Sequence, residues 1–157
     1  MELHQIVDIL INKRLGLTEF NDNIIESYLF GNYYHVACAM EAKNNKFIPL
    51  SYGMNSFKHN GTSHAESDAI RHLIPRQKKK KNKNIDILVI KITKQKQISI
   101  SKPCFHCMLY LNKIPPKKGY KINNIYYSDH DGNIIESSFS FLCCNTTHLS
   151  KYYRKKN

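Results

Sequence analysis

Leu3, Ile6, Val7, Leu10 and Ile11 recur at intervals of three and four, which predicts an amphipathic helix over residues 2–14. Asp22 offers an N-cap for a second short helix, with Ile24, Ile25, Tyr28 and Leu29 on its face. The aromatic and apolar run YYHVACAM (33–40) predicts a strand, KNNK (43–46) a turn, and FIPLSYG (47–53) the second arm of a hairpin. Pro49 has no N–H for a ladder, so it places part of that second arm at an edge or irregular position. HAESDAIRHLI (64–74) reads as a helix that stops near Pro75. IDILVIKIT (85–93) is a near-continuous β-branched run, the mark of a strand buried on both faces. CFHCMLYLNKI (104–114) reads as a helix closed by Pro115 and Pro116. INNIYYSD (122–129), HDGN (130–133) and IIESSFSF (134–141) read as strand, turn and strand, since Asp-Gly favours a tight hairpin. Residues 142–157 read as a short helix and a basic tail.

The order helix, two strands, helix, strand, helix, two strands predicts an α/β fold in three layers. A central mixed sheet of about five strands is expected, with helices on its faces. No internal repeat and no long linker divides the sequence. Residues 1–157 are therefore expected to form a single domain, with a core over about 33–141 and a basic tail over about 150–157.

The chain carries 24 basic and 12 acidic residues, a net charge of +12. That excess favours polyanions such as nucleotides, nucleic acid and anionic surfaces. Ile, Lys and Asn are abundant together, as an A+T-rich coding sequence would produce, so part of the lysine content carries no message. The runs RQKKKKNK (76–83) and KYYRKKN (151–157) read first as a solvated loop and tail, because like charges repel. Five cysteines, an odd number, argue against a complete disulfide framework. The opening MELHQIVDILINKRL is too polar for a secretory signal. No apolar run approaches the roughly 18 residues of a membrane span. The expectation is an intracellular, cytoplasmic protein with no membrane association, in which cysteines serve as metal ligands or packing residues.

Two stretches carry chemistry: GTSHAESDAI (61–70) and SKPCFHCMLY (101–110). Pro103 suits the start of a helix, and Cys104 and Cys107 then share one face, three residues apart. The positive end of the helix dipole favours thiolates there. Two thiolates leave ligand positions to fill, and His64, at another helix start, can supply the third donor of a Zn2+ site. Three protein ligands leave a position for water, whose pKa zinc lowers to about 7. Glu66, two residues from His64, is placed to carry protons without binding the metal. Glu66 has a second reading: Ser63-x-x-Glu66 fits a capping box at the helix start.

The pairing of H-A-E (64–66) with P-C-F-H-C (103–107) resembles the cytidine and deoxycytidylate deaminase superfamily, over roughly residues 33–136. The resemblance implies a cytidine-deaminase-like fold, His64, Cys104 and Cys107 as zinc ligands, and Glu66 as the catalytic proton shuttle. It implies hydrolytic attack on the ring carbon that bears the exocyclic amine, with release of ammonia. GMN (53–55) resembles the family segment that contacts sugar or base, which implies a substrate role for Asn55; a turn residue after a strand is the other reading. The backbone of Thr62, Ser63 and Ala65 is implied as a further substrate contact. Homo-oligomerisation is common in the family, and nothing in the sequence fixes a subunit number. His106 stands inside P-C-F-H-C where the family varies, and the flanking cysteines are favoured over it as ligands. Cys38, Cys143 and Cys144 are expected to be packing residues.

Three functions stay open at this point. The first is deamination of a cytosine nucleoside or nucleotide (cytidine, deoxycytidine or dCMP), which the final hairpin favours. The second is base editing in RNA or single-stranded DNA, favoured by the basic runs and by Tyr152 and Tyr153. The third is a zinc-stabilised nucleic-acid-binding module without catalysis, against which the carboxylate of Glu66 argues. Lys58, His59 and Asn60, just before H-A-E, are candidates for meeting a nucleotide phosphate.

Overall fold

Alternation of side chains along two strands decides the layering. Val36, Cys38 and Met40 point to one face of the sheet together with Leu88, Ile90 and Ile92, where Ile6, Val7 and Leu10 cover them. Ala37, Ala39, Ile85, Ile87 and Val89 point to the other face, against Ala65, Ala69, Ile70, Met108, Leu111 and Leu142. The structure is a computed structural model that describes residues 1–19, 33–58, 61–77, 81–93, 95, 97–147 and 149.

The elements in order are α1 (Leu3–Glu19), β1 (Tyr33–Lys43), β2 (Lys46–Met54), β3 (Ser56–Lys58), β4 (Gly61–Ser63) and α2 (Ala65–His72). They continue as β5 (Lys83–Thr93), β6 (Ile98–Ser99), α3 (Phe105–Lys117), β7 (Tyr120–Ser128), β8 (Ile134–Ser138) and α4 (Phe139–Asn145). The main sheet runs β2-β1-β5-β7-β8, with β6 beside the end of β5; β3 and β4 pair separately. β5 and β7 are parallel and the other pairs antiparallel. This is an α/β fold with a mixed central sheet flanked by helices. Because β2 and β5 are each antiparallel to β1, they are parallel to one another. The helices that follow them, α2 and α3, therefore both start at the same rim.

The β1–β2 hairpin turns at Asn44 and Asn45, with φ of 50° and 57°, the left-handed conformation that asparagine tolerates. β2 is an edge strand, and its register with β1 slips between Ala39↔Ser51 and Met40↔Pro49. Pro49 thus sits at the edge and beside an irregularity, as its missing N–H requires. β5 occupies the middle of the sheet and is buried from Ile85 to Ile90, as its β-branched run predicts.

Several boundaries differ from expectation. α1 continues beyond residue 14 to Glu19. The helix expected over 24–29 and the tail at 150–157 lie outside the described residues. α3 runs through Pro115 and Pro116 to Lys117. Each proline gives up its backbone donor and crowds the carbonyl one turn back, and the helix closes directly after them with a 3₁₀-type bond from Lys118 N–H to Pro115 O at 2.9 Å. The stop comes at Gly119, whose φ of +83° is left-handed and whose N–H donates to Pro116 O at 3.1 Å. The final strand ends at Ser138 rather than 141. Ser138 instead caps α4, its Oγ accepting from Phe141 N–H at 3.3 Å. β3, β4 and β6 carry too few residues for periodicity to reveal them.

Candidate metal centre

α2 reaches its place through small residues. Ala65 and Ala69, one turn apart, lie fully buried on a part of the sheet formed by Ala37, Ala39 and Gly53. Ser51 Oγ donates to Ala69 O at 2.7 Å, and Met54 N–H donates to Asp68 Oδ2 at 3.0 Å. These contacts hold the start of α2 low over the rim. His64 is its N-cap and is extended, with φ −83° and ψ 151°. α3 begins in the same way: Cys104 is its N-cap, with φ −80° and ψ 166°. The segment before it is pinned by Ser101, whose Oγ donates to Val89 O at 2.7 Å and accepts from Ser128 N–H at 2.8 Å.

The two helix starts bring His64 Nδ1 to 3.0 Å from Cys107 Sγ and 3.5 Å from Cys104 Sγ. All three donor atoms lie within 4.8 Å of one another, and both cysteines are buried. Zinc bonds of about 2.0 Å to imidazole and 2.3 Å to thiolate, at tetrahedral angles, put nitrogen and sulfur about 3.5 Å apart. One imidazole and two thiols at this spacing suit Zn2+, and the group can hold such an ion. Cys38 lies on the opposite face under α1 and is a packing residue, as expected. Cys143 and Cys144 are not: both are exposed on α4, which turns Leu142 into the core instead. His106 lies outside the three-donor group.

Charge at the centre is shared before any metal binds. A hydrogen bond from Cys107, with a further one from His64, holds the Cys104 thiol down to about 3. Cys107 is pushed up because it donates to Cys104, and because it is buried. The His64 imidazole is raised by its hydrogen bond with Cys104. A divalent cation would take the place of these protons, the usual coupling of metal binding to proton release.

Glu66 is only 5% exposed and adjoins the same group. Burial pushes its carboxyl up, while the neighbouring His64 and a hydrogen bond from Cys107 pull the other way. The capping-box reading does not hold: the N-cap is His64, not Ser63, and it makes no side-chain cap bond. Ser63 Oγ instead accepts from Arg71 at 3.0 Å. Asn55 follows β2 directly; its N–H donates to His35 O at 3.1 Å, and its Oδ1 accepts from His35 N–H at 2.9 Å. Its side-chain NH2 is the part left to donate elsewhere. Ala65 is fully buried in the first turn of α2, where backbone N–H groups have no intrahelical acceptor. Thr62 and Ser63 end β4. The Lys58 backbone lies in β3, while His59 and Asn60 lie outside the described residues.

Two neighbours were not anticipated from the sequence. His35 is held down to about 4 by burial first, then by the charges of Lys91 and His64. Lys91 is its partner across β1 and β5. The available signal was local: each is a polar break in an otherwise apolar strand, YYHVACAM and ILVIKIT. No protein-family model matches the chain, and no curated protein matches it. Among the described residues, no helix is long and apolar enough to cross a membrane.

Proposed function

We propose that the protein is a zinc-dependent hydrolytic deaminase of a cytosine nucleoside or nucleotide. The observation that carries this reading is Glu66: a buried carboxyl beside a His-Cys-Cys donor group, with no capping role at the helix start. A purely structural zinc site has no use for such a group, whereas hydrolysis needs a proton carrier near the nucleophile.

His64, Cys104 and Cys107 would hold a zinc ion, which would supply the Lewis acidity that makes a nucleophile available near pH 7. Glu66 accepts the proton that water gives up and passes it to the ring nitrogen next to the reacting carbon. Oxygen bonds to that carbon, Glu66 takes the second proton from the new hydroxyl and gives it to the exocyclic nitrogen, the carbon–nitrogen bond breaks as the carbonyl forms, and ammonia leaves. The raised affinity of buried Glu66 for protons suits a group that must hold one between these steps. The Asn55 NH2 and the Ala65 N–H orient the substrate.

The test is ammonia release from cytidine, deoxycytidine, dCMP, guanine and short single-stranded RNA and DNA, with Glu66→Ala as control. Release from a monomeric cytosine compound, absent in the control with zinc retained, is expected. Release from oligomers alone would transfer the assignment to polynucleotide editing. Silence with zinc bound would leave a metal-stabilised binding module as the better reading.

A further inference from the structure

The floor next to the metal centre changes character within one row of the sheet. Gly53, Ala37 and Val89 lie in register across β2, β1 and β5, and the two side chains among them are apolar and buried. Two residues nearer the rim, on the same face, stand Asn55, His35, Lys91 and Ser99. Asn55 is bound to His35 through both backbone and side chain. His35 pairs with Lys91, and Lys91 pairs with Ser99. All four are half-buried. Directly opposed antiparallel residues have Cβ atoms about 4.5–5.5 Å apart, so each member of this row neighbours the next. The row adjoins the metal centre, since Gly53, two residues before Asn55, packs against the backbone of Ala65, the residue after His64.

A row of uncharged polar groups would be enough to seat a sugar. Lys91 adds a basic side chain to a half-buried floor, where an anion gains more than it would in open water. Asn55 and Lys91 are two strands apart, about 10 Å between backbones at 4.8 Å per strand. One compound can therefore place a sugar hydroxyl at Asn55 and an anion farther along the row.

We propose that Lys91, with His35 and Ser99 beside it in the row, binds the phosphate of a cytosine nucleoside monophosphate. The proposal rests on the deaminase reading and narrows its substrate to the nucleotide. It assigns the phosphate to the sheet floor rather than to the Lys58–Asn60 segment.

The test is calorimetric binding of CMP, dCMP and cytidine to zinc-loaded Glu66→Gln protein, with and without Lys91→Gln and Lys91→Arg. CMP or dCMP is expected to bind at least tenfold more tightly than cytidine at low salt. Lys91→Gln is expected to remove that preference, and Lys91→Arg to keep most of it. Circular dichroism and zinc content establish that each variant is folded and loaded; should Lys91→Gln not fold, Ser99→Ala takes its place, with a threefold loss of preference expected. Equal binding of CMP and cytidine, or a preference left undiminished by Lys91→Gln or Ser99→Ala, overturns the phosphate assignment and leaves the deaminase reading standing. Absence of binding by any cytosine monomer overturns the assignment; absence of ammonia release by the unsubstituted protein then overturns the deaminase reading separately.

Discussion

Gly53 and Ala69 meet backbone to backbone: a Cβ on Gly53 would stand 2.1 Å from the Ala69 nitrogen and 2.3 Å from Ala65 O. Neither atom belongs to a side chain that can swing aside. Gly53→Ala must therefore push α2 off β2, and α2 carries His64 and Glu66. The expected loss of stability exceeds about 3 kcal/mol, the upper end for overpacking, because here the backbone itself must move. Urea unfolding should show it as a lower midpoint, together with less zinc per chain. An unchanged midpoint would mean that the helix and strand are not in this contact.

Ser101 and Ser128 make the matching anchor at the start of α3. Ser128 donates its N–H to Ser101 Oγ at 2.8 Å, while its hydroxyl, also 2.8 Å from that oxygen, donates to Ser99 O at 2.5 Å, and both serines are buried. Ser101→Ala leaves the Ser128 N–H and the Val89 carbonyl without that partner. The expected cost is about 1–3 kcal/mol, the range for an unsatisfied buried polar group. Since Ser101 precedes Cys104 by three residues, zinc affinity should also fall, by roughly tenfold or more as for other groups that orient ligands. Competition against a chromogenic chelator measures this. A stability loss with unchanged zinc affinity would make Ser101 a core residue only.

The long periodic elements were legible because burial dictates them. The β-branched run at 85–93 can only be a central strand, and HAESDAIRHLI shows its buried face through Ala65, Ala69 and Ile70. The donor set His64, Cys104 and Cys107 was legible because each sits at a helix start with a recognisable spacing. What the sequence hid was decided by distant neighbours. Ser138 can continue a strand or cap a helix, and only packing of Leu142 into the core selects the cap. Pro115 and Pro116 look like a stop, yet a last helical turn tolerates them and Gly119 ends it instead. His35 and Lys91 lie 56 positions apart, and only the register of β1 on β5 makes them neighbours.

Metal removal gives a prediction confined to the donor group. Zinc held by the folded donor group and not by an unfolded chain with separated ligands would stabilise by mass action, about 4 kcal/mol at a thousandfold excess over Kd. Chelation should lower the unfolding temperature, and zinc should restore it. Cys104→Ser and His64→Ala are expected to abolish the zinc response. Cys38→Ala and Cys143→Ser are expected to keep it, since those thiols lie on the far face and on exposed α4. A zinc response that survives Cys104→Ser would place the ion elsewhere.

His35 gives the sign of one pH dependence. Burial, Lys91 and His64 hold its pKa down to about 4, against an unfolded value of 6.5, while Cys104 pulls weakly the other way. The unfolded chain therefore takes up a proton at this residue before the folded one does. Its contribution to stability is fully present above pH 6.5 and is lost as pH falls through about 4. Buried Glu66 is shifted upward and acts in the opposite direction, so the slope of the parent alone is not diagnostic. The difference between parent and His35→Gln removes the common terms. In chelator-treated protein, the parent should lose more stability than His35→Gln between pH 6.5 and pH 4, as read from urea midpoints. Parallel pH curves would show that His35 is as well solvated in the folded chain as in the unfolded one, and would place it away from the rim.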